Sequence, residues 1–445
     1  MKIIRIGSGA GYGGDRIEPA IDLMERGNLD YIIFECLAER TIALAQLEKL
    51  SQPERGYNPL FEYRMEKILA ALKKHPVRVI TNMGAANPLS AARKARRMAD
   101  QAGLSHLRIA AVTGDDVYPR LPEFWEQNTL ETGGPLKNLQ ADLISANAYM
   151  GCAGIVQALE QGADIVITGR VADPALVLGP LVFEFGWSMD DWDKLGKGTL
   201  AGHLLECAGQ VTGGYYCDPG IRDVPELWNL GFPLAEVGED GSLTITKLPG
   251  TGGLVSEDTC KQQLIYELQD PARYYTPDCT ADFQHVSMRQ DGPDRVRISG
   301  ATGHPHNGKL KVSAGYQDCW IGEGQISYGG HNALARARLA GEVVRRRLEL
   351  THCQLEELRI DHMGIDSLYG SALSQGAPVP VEVRLRVAGR TRCREEAEKV
   401  ANEVEALYTN GPAGGGGAVK SVRRIVSVAS ILIPRDTVTP QITFC

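Results

Sequence analysis

The chain has 445 residues, 43% hydrophobic and 23% charged, which is enough apolar material for two or three domains with real cores. A net charge of −8 argues against a nucleic-acid or anionic-membrane partner, and no apolar run approaches the ~18 residues that a membrane helix needs. Ten cysteines without CxxC spacing, after a start Met1-Lys-Ile-Ile-Arg that enters a strand at once, read as reduced thiols of a cytoplasmic protein.

Strands and helices alternate from the start. A strand is expected over 3–6, running into Gly7-Ser-Gly-Ala-Gly-Tyr-Gly-Gly-Asp15-Arg16, with a helix over 17–26. A second strand (31–34) ends at Glu35, and helices follow over 38–49 and 63–74. A third strand (77–81) ends at Asn82, before a helix over 88–102 closed by Gly103. The fourth (107–112) meets Thr113-Gly-Asp115-Asp116. A helix over 147–161 leads to the fifth strand (164–168), followed by Gly169-Arg170-Val-Ala-Asp173. This alternation predicts an α/β fold, a parallel Rossmann-like sheet with helices on both faces. In such sheets ligands bind at the carboxyl ends of the strands, where these five polar clusters fall.

Beyond residue 210 short segments broken by Gly and Pro dominate. Alternating stretches at 295–299 and 310–314, helices over 334–350 and 394–408, and strands over 358–363, 381–387 and 422–433 predict a smaller C-terminal α+β domain. The expected division is 1–285 for the α/β domain and 286–445 for the smaller one. The glycine run 411–417 reads as a flexible loop, and the basic runs 93–97 and 345–347 as solvated helix faces.

Each strand-end cluster admits a functional and a plain reading. Gly9-Ala-Gly11-Tyr-Gly-Gly14 is a formal GxGxxG, with Glu35 placed as a ribose-binding acid would be. A nucleotide-dependent enzyme using this loop is therefore one alternative. Against it, Asp15 would repel a pyrophosphate at the helix entrance and serves equally as a helix cap. Asp115 and Asp116 suit Mg²⁺ ligation or a shared proton, with Asp116 also a catalytic candidate; turn chemistry explains them too. Arg170 suits an anionic substrate group, or an internal ion pair with Asp173.

His203, Glu206 and Cys207 fall on one helical face, offering a base, an acid and a possible nucleophile. A buried cysteine is more often a small hydrophobe. Lys247 with the glycines around Gly252 resembles an anion cradle, or a plain turn.

Strung together, these segments resemble the acyclic terpene utilisation (AtuA-type) family. The resemblance runs from Gly9 to Arg16 through Leu37-Ala38-Glu39, Gly56-Tyr57, Asn82 and Gly114-Asp-Asp116. It continues through Gly162 to Arg170, Asp173, Ala201 to Cys207, Thr212-Gly-Gly214, Gly231-Phe-Pro233, Glu236 and Lys247, then Gly250 to Gly253, Tyr266-Glu267 and Pro277-Asp278. It is strong over 1–345. It implies a place in the breakdown of acyclic terpenoids through CoA thioesters, without supplying the reaction.

The leading expectation is a lyase or hydro-lyase acting on a small carboxylate or acyl-CoA thioester, CoA entering as part of the substrate and Mg²⁺ as a candidate cofactor. His203, Glu206, Asp116 and Cys207 are the catalytic candidates. Gly11, Asp15, Arg16, Asn82, Arg170, Asp173, Lys247 and Gly252 are expected to bind substrate, and Asp115 with Asp116 any metal. The other alternative is a non-catalytic subunit that binds acyl-CoA or scaffolds pathway enzymes; self-association into a homo-oligomer fits either.

Overall fold

The computed structural model describes residues 2–374, 376 and 378–445, so Met1 lies outside the described residues. The chain forms two compact units, Met1–Gly315 with Val428–Cys445, and Tyr316–Ser427. The expected division at 285/286 falls inside the first.

In the first unit, β1 (Ile3–Ala10), α1 (Glu18–Arg26), β2 (Tyr31–Phe34), α2 (Glu39–Ser51), α3 (Phe61–Leu72), β3 (Arg78–Thr81), α4 (Pro88–Gln101) and β4 (Ile109–Thr113) follow in turn. Next come β5 (Leu143–Ala148), α5 (Ala153–Glu160), β6 (Ile165–Thr168), α6 (Ala175–Phe185) and α7 (Trp192–Leu205). β7 (Pro233–Gly238), β8 (Leu243–Lys247), α8 (Glu257–Ile265), β9 (Tyr274–Tyr275), β10 (Thr280–Asp282), β11 (Ser287–Gln290), β12 (Arg295–Ser299) and β13 (Thr302–His304) complete this run.

β1, β2, β3, β6 and β4 lie side by side and parallel. The ten-stranded sheet is nevertheless mixed. β7, β8, β12 and β11 extend it antiparallel beyond β1, and β18 (Gln441–Phe444) pairs antiparallel with β4. The expected parallel sheet is thus the centre of a mixed one. Its flanks join that centre through pairs remote in sequence, β7 on β1 and β18 on β4, which no local pattern announces.

Strand periodicity divides the core in two. Ile6, Ile33, Ile80, Val112 and Val166 pack with α5, α6 and α7, whereas Ile32, Phe34, Val79, Ala111 and Ile167 pack with α1, α3 and α4. Topology accounts for the split. The path β1–β2–β3–β4 steps one way across the sheet and the return to β6 steps back, so right-handed crossovers place the two sets of helices on opposite faces.

Two local expectations are corrected. β1 continues through Gly7 and Gly9, where a Cβ would stand 2.6 Å from Leu29 Cδ1 and 2.5 Å from the Phe34 ring, so these glycines serve packing rather than a turn. The expected helix 147–161 begins only at Ala153, because Leu143–Ala148 is the wholly buried strand β5, which pairs with the next strand, β14 (Lys309–Gly329).

The second unit holds the latter part of β14, α9 (Ala333–Leu350), β15 (Glu357–Met363), α10 (Gly370–Leu373), β16 (Glu382–Thr391), α11 (Arg394–Glu405) and the first part of β17 (Gly415–Pro434). Its strands run in the order β15-β16-β14-β17, with apolar residues of α9 and α11 packed on β14 and β16. Gly415–Gly417, expected in a loop, open β17. Among the described residues no helix is long and apolar enough to cross a membrane.

Candidate functional site

The parallel strands bring their expected clusters to one rim. Asn82, fully buried at the end of β3, donates to Glu35 Oε1 (2.9 Å) and accepts from the Cys36 N–H (2.7 Å), while the Leu37 N–H also donates to Glu35 Oε1 (2.9 Å). Asn82 therefore positions Glu35. At the end of β4, Asp115 Oδ2 accepts from Asn147 Nδ2 (2.8 Å) and from the Arg170 N–H (3.0 Å). Burial pushes the Asp115 carboxyl up to about 6 against those two bonds.

Arg170 is committed internally. Its guanidinium is 1% exposed, donates to the carbonyls of Val171 and Leu37, pairs with Asp173, and lies 4.4 Å above the Tyr149 ring. The expected substrate clamp is thus an internal ion pair that aims Asp173, whose side chain is 35% exposed. Burial raises the Asp173 carboxyl, the adjacent guanidinium pulling the other way. Burial and the Asp173 charge raise Glu35 as well, against Arg170.

The third part of the rim is the end of α7. Asp191 caps its start, its side chain accepting from the Lys194 N–H (3.3 Å), and Gly202 lets the helix approach Pro174, where a Cβ would stand 2.6 Å from Pro174 Cα. His203, fully buried, holds Glu206 Oε1 through Nδ1 (2.8 Å) and the Leu264 carbonyl through Nε2 (2.9 Å). A carbonyl only accepts, so Nε2 carries hydrogen and the Nδ1···Oε1 contact shares one further proton.

Burial raises Glu206 to about 7 with His203 opposing. Burial alone would lower His203, but Glu206 outweighs it and the imidazole is raised. Cys207 is half-buried, and desolvation raises its thiol. The first loop meets this helix end directly: a Cβ on Gly11 would lie 2.3 Å from the Cys207 carbonyl carbon.

Other expected residues lie elsewhere or serve the fold. Asp15 accepts from the N–H groups of Gly11 (3.1 Å) and Arg16 (2.9 Å), so the loop's own amides are turned to its own carboxylate. Arg16 is exposed beside Trp228. Lys247 donates to the Thr251 carbonyl (2.8 Å) and pairs with Asp294 (3.2 Å), which holds the turn after β8. A Cβ on Gly252 would strike the Glu226 carbonyl at 2.1 Å, so close packing accounts for that glycine. Asp116 accepts from the Tyr118 N–H (3.1 Å) as a local turn. Among the described residues no group of three or more His, Cys, Asp or Glu is placed to hold a metal ion.

Several groups at the rim were not singled out as site residues from the sequence. Tyr149 donates to Glu39 Oε1 (2.6 Å), which Lys311 also approaches (3.1 Å). Burial would raise Glu39, but these bonds outweigh it and hold the carboxyl down at about 2. The Tyr274 ring lies 5.1 Å from His203. Glu267, in the left-handed region (φ 58°), adds negative charge around Asp173, Glu206 and Tyr274. A cavity of about 670 Å³ opens at Asp173, walled by Tyr149, Tyr274, Asn307, Lys309 and Lys311. The alternation Lys309-Leu-Lys311 in a strand was the available signal for the two ammonium groups.

The fold and rim define an α/β protein with a carboxyl cluster at the ends of its parallel strands, beside a cavity that opens at Asp173. Residues 4–444 match the family described as "Acyclic terpene utilisation family protein AtuA", and the chain belongs to that family. No curated protein and no solved structure matches the chain.

Proposed function

We propose that this protein is an enzyme of acyclic terpenoid or acyl breakdown, of the lyase or hydro-lyase class, acting on a small carboxylate or acyl-CoA thioester. The observation that carries the reading is the cluster of interacting carboxyls at the rim, with Glu35, Asp173 and Glu206 all shifted upward. Carboxyls shifted this way hold a proton more readily than free ones, which is what addition and elimination beside a carbonyl demand. The parallel centre of the sheet acts in the Rossmann-like manner, presenting its ligand site at strand carboxyl ends.

In this reading Asp173, aimed by Arg170 and open to the cavity, exchanges the proton at the substrate α-carbon. Glu206 with His203 handles the second proton. Lys309 holds the anionic end of the substrate, with Lys311, paired with Glu39, beside it, since Arg170 and Lys247 are engaged within the protein. The test is solvent-deuterium exchange at the α-carbon of short enoyl- and hydroxyacyl-thioesters, followed by NMR. The wild type is expected to exchange and Asp173→Asn to lose at least ~10²-fold. Exchange that is absent in the wild type, or unchanged in the variant, refutes the assignment.

A further inference from the structure

Beside His203, two buried oxygens have no hydrogen-bond partner among the described residues: Glu206 Oε2 and Gln263 Oε1. The residues are 8% and 1% exposed. The Gln263 amide cannot be turned round, because its Nε2 donates to the His203 carbonyl (3.0 Å), which only accepts. Glu206 Oε1 is already bonded to His203 Nδ1. Both side chains are tied to a single helical turn, Glu206 through the His203 ring and Gln263 through the His203 carbonyl. Leaving buried acceptors unpaired is costly, so native proteins nearly always satisfy them.

Two acceptors with no donor between them suit a group that offers two hydrogens and is small enough for a closed site. A water molecule does both. We propose that one water is held by donating to Glu206 Oε2 and Gln263 Oε1, and that its oxygen is the one added to, or lost from, the substrate. The proposal rests on the lyase reading above and narrows it to hydration of an α,β-unsaturated acyl group and the reverse.

The step balances without a further reactant. In hydration, the water O–H bond breaks and its proton passes to Glu206 Oε2, while the oxygen bonds the β-carbon. The π pair moves to the α-carbon, which takes a proton from Asp173. Glu206 is then protonated and Asp173 ionised, and exchange of protons with solvent resets both. Dehydration runs the same transfers backwards, with Glu206 protonating the departing hydroxyl. The shared proton on His203 keeps Oε1 occupied, which leaves Oε2 as the oxygen that faces the water.

Two measurements test this on the full-length protein. A high-resolution crystal structure is expected to show one ordered water within hydrogen-bond distance of both oxygens; clear density without it overturns the proposal. In kinetics, Glu206→Gln is expected to lose at least ~10²-fold in hydration of an enoyl-thioester, and far more there than in α-carbon exchange of a hydroxyacyl-thioester, a step that needs no water. A merely structural Glu206 would lower both together, and that result, or hydration left intact, refutes the proposal. Should Glu206→Gln fail to fold, Gln263→Met, which removes the second acceptor at similar volume, is expected to show the same split. A wild type that exchanges but hydrates nothing leaves the acid–base site standing and overturns the water's role; one that does neither overturns both readings.

Discussion

Replacing Gly11 by alanine tests whether the first loop is built against α7 or for a phosphate. Its φ lies outside the left-handed region, so alanine suits the backbone and the cost is purely one of space. The new Cβ would lie 2.3 Å from Cys207 C, 2.5 Å from Cys207 Cα and 2.6 Å from Ala208 N. Contact between carbon atoms needs ~3.5 Å or more, so the loop and the helix end must separate by roughly 1 Å. Overpacking of this kind costs about 1–3 kcal/mol.

The displaced segment carries Glu206, and a misplacement of ~1 Å at reacting groups costs on the order of 10²-fold in rate. Gly14→Ala is the internal control, since the atoms nearest its Cβ belong to the Tyr12 side chain (2.7 Å), which is exposed and free to swing aside. Scanning calorimetry and enoyl-thioester hydration should show a lowered transition and a large rate loss for Gly11→Ala, and near wild-type behaviour for Gly14→Ala. Equal effects in the two variants would refute the packing argument.

Three further outcomes follow from the geometry. Asp115 has its carboxyl raised from 3.8 to about 6 in the folded state, so the stability it contributes is fully present below pH 3.8 and is lost as pH rises through 6. Asp115→Asn should therefore remove a decline on the order of 1–2 kcal/mol between pH 5 and 7.5, read by urea unfolding; an unchanged pH slope would contradict the burial argument. Lys247→Met should lower the unfolding midpoint and leave ligand affinity unchanged, because the ammonium is spent on Thr251 and Asp294; calorimetric titration decides it. Arg170→Met should destabilise by about 3–5 kcal/mol, since it strands Asp173 and two carbonyls without their donor, and a melting curve like wild type would count against that.

Much of the rim was legible because its signals are local. Strand-end clusters at Glu35, Asn82, Asp115 and Asp173 follow from runs of buried apolar residues stopped by polar ones, and His203, Glu206 and Cys207 share a helix face by spacing alone. What failed was non-local. Nothing near Arg170 in the chain announces that the Leu37 carbonyl and the Tyr149 ring will absorb its guanidinium. Lys247 is expected in an anion cradle because Asp294, the counter-ion that engages it, lies on the far side of α8 in sequence. β5 was hidden because Leu-Ile-Ser-Ala-Asn-Ala, wholly buried, lacks the alternation that marks a half-exposed strand. Glu267 and Tyr274 enter the cleft only through the packing of the segment after α8 against His203.

The edge strand β18 carries a consequence for how the molecule is made. Gln441 pairs with Thr113 across 328 residues, and the whole of the second unit is threaded between them. During synthesis the open side of β4 must therefore wait, unpaired, while the intervening chain emerges. Contacts so distant in sequence close slowly, and an uncovered strand edge is where nascent chains stick to one another. Truncation just before residue 441 would leave the rim residues untouched and still give a protein that aggregates as it is born, a failure of assembly rather than of chemistry.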